Sequence, residues 1–323
     1  MDSIYRSATG RDLIRRWCLD QLTAWPVPHE RRTVTAKGAR THVVLAGSGA
    51  TTVVFVPGTD FNAAASLPLA TALVAAGHRV LLVDVPGQPG LSSGARPRSG
   101  GGLPWYGAWL SEVIETVSSE PVAVMGHSFG AAIALSSDSP RIDRLVLVSP
   151  GGLTRLRLTP TVLAASAAWF LRPAPTHSSR LLRTMLAPGH PPREELVNWM
   201  TLVARHSRSS GAPGAAALPA RSVPLRVVTG EHDVFLPPWR LGPAVRGALG
   251  AELGVVSGAG HLVIEERPAY LSTLLDSPFL NTPLPDSPGR LASDVWPALG
   301  PEGASDGSPR RRGDPSEAPW SSP

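Results

Sequence analysis

The chain has 323 residues, 42% of them hydrophobic and 17% charged, with a formal net charge of +5; this is enough apolar chain for a large buried core. Its one cysteine, Cys18, excludes an intrachain disulfide and any cysteine-based metal site. The basic residues are scattered arginines with Lys37 the only lysine, and the sole basic tract, at 310–312, lies in a Pro/Ser/Gly-rich tail, so no nucleic-acid partner is predicted.

In chain order, Leu13, Ile14, Trp17, Cys18 and Leu22 recur at three- and four-residue steps and predict a helix ending before the prolines at 26 and 28. Segment 1–29 is therefore an N-terminal helical segment. The opening lacks the basic-then-apolar plan of a secretory signal. The longest apolar stretch, 162–171, is shorter than the about 20 residues that cross a bilayer. The expectation is a cytoplasmic protein without membrane insertion, its oligomeric state left open.

Short strands are predicted at 32–36 and 41–45, then a continuous β-branched run at 52–56 and further segments at 78–85, 121–125 and 142–148 read as buried strands. Helices at 66–76, 105–117 and 130–135 alternate with them, the signature of a parallel α/β sheet. The rhythm breaks over 153–220, where helices are predicted at 163–171, 181–186 and 194–203 with no buried strand among them. Strands at 225–229 and 253–257 and helices at 239–249 and 263–275 complete the pattern. The expected organisation is an α/β core over 30–152 and 221–275, with a helical cap at 153–220 inserted after strand 6. A Pro/Ser-rich tail follows at 276–323, its composition that of a disordered segment.

The apolar run Val-Ala-Val-Met stops at Gly126, and Gly-His-Ser-Phe-Gly at 126–130 joins a buried strand to a helix. In that context G-x-S-x-G reads as a nucleophile elbow. A nucleophile on so tight a turn is held in an unfavourable backbone conformation, and its neighbours must be small. The helix starting there aims free N–H groups at developing negative charge. The alternative for Ser128 is a plain N-cap serine.

A hydroxyl needs a base to take its proton. His261 stands in Ser-Gly-Ala-Gly-His-Leu directly after the last strand, and Asp233 in Thr-Gly-Glu-His-Asp-Val after the strand before it. Ser128, Asp233 and His261 thus all fall at carboxyl ends of parallel strands, where open sheets place their sites, with the carboxylate orienting the imidazole. Asp84 and Glu231 are the rival acids; His127 and His232 are expected to pack rather than act as bases. No H-E-x-x-H spacing and no phosphate loop in a strand–helix frame is present, so neither metal nor cofactor is predicted.

With these motifs in register, the chain from about 30 to 275 resembles the α/β-hydrolase superfamily. The resemblance implies an α/β-hydrolase fold, a mostly parallel twisted sheet with helices on both faces and a helical cap. It also implies an oxyanion hole built from the backbone N–H groups of Thr59 and Phe129. The stretch 83–92 matches the family's Asp-x-x-Gly-x-Gly-x-Ser loop with one additional residue, Pro89, and 56–60 reads Val-Pro-Gly-Thr-Asp where many members have His-Gly. Asp60 is either a turn residue facing away or a polar substrate contact. Trp169, Trp199, Phe170, Met185 and Met200 are either walls of an apolar acyl pocket or packing of the cap helices. The expected function is a serine hydrolase acting on a small-molecule carboxylic ester or related acyl compound through an acyl-enzyme. Lactone, thioester, amide or carbon–carbon bond hydrolysis on the same machinery, and a non-catalytic ligand-binding protein of this fold, are the alternatives.

Overall fold

The structure, a computed structural model, describes residues 3–95, 102–208, 214–216, 218 and 223–276. Helix α1 (Ala8–Ala24) starts from Ser7, whose side chain accepts from Gly10 N–H, satisfying one of the orphan donors of the first turn. It leads into the hairpin of β1 (His29–Ala36) and β2 (Ala39–Ala46). Then β3 (Thr52–Val56), α2 (Leu67–Ala75), β4 (Arg79–Val83), α3 (Gly102–Val117), β5 (Val122–His127) and α4 (Phe129–Leu135) alternate. After β6 (Ile142–Val148) come α5 (Pro160–Leu171), α6 (Pro175–Met185) and α7 (Glu194–His206). The core resumes with β7 (Leu225–Gly230), α8 (Pro238–Leu249) and β8 (Leu253–Val256).

The eight strands form one sheet in the order β1-β2-β4-β3-β5-β6-β7-β8. The β1–β2 and β2–β4 pairs are antiparallel and all others parallel. Residues of β3 and β5 are buried throughout, as strands covered on both faces must be. Alternation divides them cleanly. Val53, Phe55, Ala123 and Met125 join α1, α2, α7 and α10 on one face, while Val54, Val56, Val122 and Val124 pack with α3, α4 and α8 on the other; here α10 is Pro268–Asp276. Each fully buried valine or larger side chain stabilises by about 1.5–3 kcal/mol. From β3 the chain moves to β4 on one side, and then returns to add β5 on the other. The crevice beyond the carboxyl ends of β3 and β5 is thus the switch point of the sheet.

Two helices differ most from expectation. The apolar pattern over 263–275 predicts one helix, but the chain forms α9 (Val263–Glu266) and then α10. Pro268 cannot donate an N–H to continue the first helix, yet fits the opening turn of the second. Helix α6 begins at Pro175, six residues before its first apolar signal, because proline's fixed φ suits the first helical position.

Cys18 is fully buried, its Sγ accepting from the Asn62 amide at 3.3 Å. Burial, and after it the charge of Asp84, pushes its pKa well above the ordinary thiol range. Among the described residues no helix is long and apolar enough to cross a membrane. The tail read as disordered lies, beyond Asp276, outside the described residues.

Candidate active site

Strand β5 runs straight into Ser128, which has φ 52° and ψ −109°, a conformation that costs a non-glycine residue of order 1–3 kcal/mol. The turn is over-determined by its surroundings. Ser128 N–H donates to Val148 O at 2.9 Å, and Ser128 O accepts from Gly151 N–H at 3.0 Å. A Cβ on Gly130 would lie 2.0 Å from Val56 O, so only glycine lets α4 approach β3 this closely. Although Ser128 occupies the N-cap position of α4, its side chain makes no capping bond. Its Oγ instead meets His261 Nε2 at 3.2 Å.

His261 Nδ1 lies 2.8 Å from Asp233 Oδ2. The carboxylate is fixed from every side. Oδ1 accepts from Phe235 N–H at 2.9 Å and Leu236 N–H at 2.8 Å, and Oδ2 also accepts from the Thr229 hydroxyl at 3.0 Å. Ser149 Oγ lies 3.1 Å from Thr229 Oγ1; with the Thr229 hydrogen directed at the carboxylate, Ser149 is the donor of that pair. Burial alone would raise the Asp233 pKa. The His261 charge and the hydrogen bonds of His261, Leu236 and Ser149 outweigh it and hold the group at about 2. Asp233 and His261 are 2% and 4% exposed, so their interaction is little screened by solvent.

The structure thus brings Ser128, His261 and Asp233 into one unbroken line. The sequence rivals fall elsewhere. Asp84 accepts from Ala63 and Leu91 N–H, bracing two loops. Glu231 accepts from Gly258 N–H and the Ser257 hydroxyl. Among the described residues no cluster of His, Cys, Asp or Glu is arranged to hold a metal ion.

The loop after β3 lies against the serine: a Cβ on Gly58 would sit 3.3 Å from Ser128 Cβ. Phe61 N–H closes the turn onto Gly58 O, and Asp60 N–H donates to Gln88 Oε1 at 2.9 Å. Thr59 follows Gly58 in this loop, and Phe129 follows Ser128 as the first residue of α4. Asp60 has φ 62° and shares the wall of a small cavity with Trp169, Phe170 and Val203. Trp199 is fully buried, its ring tilted 32° against Trp17 with centroids 4.7 Å apart, and its indole N–H donates to Asp60 O at 2.7 Å. Met200 is buried, and its carbonyl accepts from the Trp169 indole.

His127 is 1% exposed and its Nε2 lies 3.0 Å from His261 O. A carbonyl only accepts, so Nε2 bears the proton and Nδ1 is a bare lone pair without a partner. Burial, then the nearby His261 charge, lowers its pKa to about 3, which removes it as a base at neutral pH. The folded state therefore refuses a proton that the unfolded chain accepts near 6.5, and stability should fall as pH drops from about 6.5 towards 3. Urea midpoints of the parent should decline over pH 6.5–4.5, whereas His127→Gln should flatten that slope; parallel slopes would contradict a neutral buried imidazole.

Thr229, Ser149 and the neutral donor role of His127 escape sequence reasoning. No motif separates a hydroxyl behind a carboxylate from any other strand-end serine or threonine.

The match to the alpha/beta hydrolase family model spans residues 53–274. The carboxylesterase CesB of Bacillus subtilis superposes with a TM-score of 0.69 at 18% identity, covering 84% of this chain and 98% of that one. The naproxen esterase of the same species gives 0.65 at 20% identity over 81% and 95%. An uncharacterized protein of Mycobacterium tuberculosis is 24% identical over 225 residues, 59% of this chain; the match spans only 64% of that relative's length. A 2-hydroxy-6-oxononadienedioate/2-hydroxy-6-oxononatrienedioate hydrolase of Cupriavidus pinatubonensis is 35% identical over 128 residues, 36% of this chain and 38% of that one. A family match running from β3 through α10, on an eight-stranded sheet of this order, places the chain in the α/β-hydrolase family.

Proposed function

We propose that the protein is a serine hydrolase that cleaves carboxylic esters through an acyl-enzyme on Ser128. The observation that supports this most directly is the line Asp233–His261–Ser128, closed at 2.8 and 3.2 Å on a turn whose serine has φ 52°. Asp233 holds the Nδ1–H tautomer of His261, leaving Nε2 free to accept the hydroxyl proton. Ser128 Oγ then attacks the ester carbon, and the oxyanion is received by Thr59 and Phe129 N–H, each such donor lowering the barrier by about 2.7–4 kcal/mol. His261 returns the proton to the leaving alcohol. Water then attacks the acyl carbon, giving its proton to His261, which passes it to Ser128 Oγ as the ester bond breaks and the acid leaves.

Helices α5–α7 are the proposed cap. Supporting this, the end of α6 bonds the histidine loop, Met185 O accepting from His261 N–H at 2.7 Å, while Trp199 of α7 bonds the loop after β3. Asp60 and Trp169 share the wall of a cavity of about 10 Å³, room for about one water, so their proposed contact with substrate requires the cap to move. A second reading, cleavage of a dicarboxylic oxo compound, draws on the Cupriavidus relative, whose name specifies such a substrate.

The parent should react covalently with a fluorophosphonate probe and turn over activated esters. Ser128→Ala should abolish labelling and lower kcat by about 10⁴-fold or more. An unlabelled parent would favour a binding protein, and undiminished turnover in Ser128→Ala would remove the serine from the mechanism. A panel of esters, a lactone and a dienedioate then separates the two substrate readings.

A further inference from the structure

Glu266 is a buried carboxylate that the mechanism above does not use. Its side chain is 2% exposed, and an anion so enclosed must find strong partners. One oxygen accepts from Ala187 N–H at 2.7 Å, just past the end of α6, and the other from Gly260 N–H at 2.7 Å, in the peptide before His261. His190 Nδ1 stands 3.4 Å away. The same two segments are joined directly, since Met185 O accepts from His261 N–H at 2.7 Å and from Leu262 N–H at 3.3 Å. A Cβ on Gly260 would lie 2.3 Å from Met185 O, so the helical insertion rests on the backbone of the histidine loop with no side chain between them. On the remaining side His127 donates to His261 O at 3.0 Å.

We propose that Glu266 is a positioning residue for His261, bridging α6 to the histidine loop so that the imidazole reaches Ser128 only while the insertion is seated. The proposal rests on the reading of His261 as the base. Its basis is the division of labour between the two oxygens: each serves a donor from a different segment, and neither serves α9 itself. Asp233 aims the ring, whereas Glu266, Met185 and His127 set the backbone from which the ring hangs. Glu265 offers an internal comparison. It is also largely buried and pairs with Arg193 at 2.7 Å, and Arg193 in turn donates to Ala65 O at 2.7 Å. It thus ties the insertion to the core without touching the histidine loop.

The test compares Glu266→Gln with Glu265→Gln in the full chain, on p-nitrophenyl butyrate and on fluorophosphonate labelling, with hydrogen exchange read alongside. An amide side chain keeps only one acceptor oxygen, so one of the two bonds is lost. Glu266→Gln should lower kcat and the labelling rate together by about tenfold or more with KM within about twofold, since small misplacements of a catalytic group cost this much. Amides in segments 185–190 and 259–262 should exchange faster in that variant. Glu265→Gln should lower the melting temperature with kcat unchanged. Glu266→Asp, which keeps the charge and shortens the reach, should follow the glutamine variant and serves if the latter fails to fold. Equal kcat in the Glu266 and Glu265 variants, or unchanged exchange in both segments, overturns the proposal. A fully active Ser128→Ala variant sinks the triad and the positioning role with it. An inactive Ser128→Ala beside an unaffected Glu266→Gln overturns the Glu266 role alone.

Discussion

Asp233→Asn should lower kcat on an activated ester by about 10⁴-fold with the fold intact. The amide oxygen can still accept from Phe235 and Leu236 N–H, the two bonds that anchor the loop. That leaves the amide NH₂ facing His261 Nδ1, where Oδ2 now stands at 2.8 Å. Two donors cannot share that contact, so the ring is driven to the other tautomer. Nε2 then carries the proton and confronts the Ser128 hydroxyl with nothing to accept it. Thr229 loses its charged acceptor as well and can turn to Leu236 O, 3.3 Å away. Steady-state kinetics beside circular dichroism would check both halves, and a fall of less than tenfold would show that the carboxylate does not select the tautomer.

The second large effect is on stability. Trp199→Ala should destabilise the protein by about 3–5 kcal/mol, the usual cost of deleting a fully buried aromatic. It removes the tilted ring contact with Trp17, 4.7 Å between centroids, and strips Asp60 O of the indole N–H that it accepts at 2.7 Å. For a domain of this size that should lower the melting temperature by about 10 °C. A variant that melted like the parent but bound ester more weakly would instead make Trp199 a wall of the substrate site.

Strand β3 was legible to the residue because it is a short run buried on both faces, and β6 because four consecutive buried apolar residues, 145–148, close it. The loops holding Ser128, Asp233 and His261 were legible for a related reason, since each follows such a run immediately. Helix α6 was read six residues short because its first two turns are polar and their partners belong to other helices. The break at Arg267–Pro268 was missed because the apolar spacing continues across it while the backbone bonding does not. For Trp199, periodicity marked an apolar face without saying what would cover it; the partner ring comes from α1, far away in the chain. In sequence Glu266 is one more acidic residue on the single helix expected over 263–275. Its value arises from two backbone N–H groups that only the folded chain gathers.

Cys18 has one further consequence. The chain's sole thiol is sealed behind α1 with its pKa pushed up, so thiol-directed reagents should find the native molecule silent and react only when the packing around that helix opens. Reaction rate then becomes a clock for spontaneous opening, read without denaturant. Equally, a cysteine placed on the outer surface would be the single handle a dye could seize, making the wild-type chain a ready background for watching α5–α7 move.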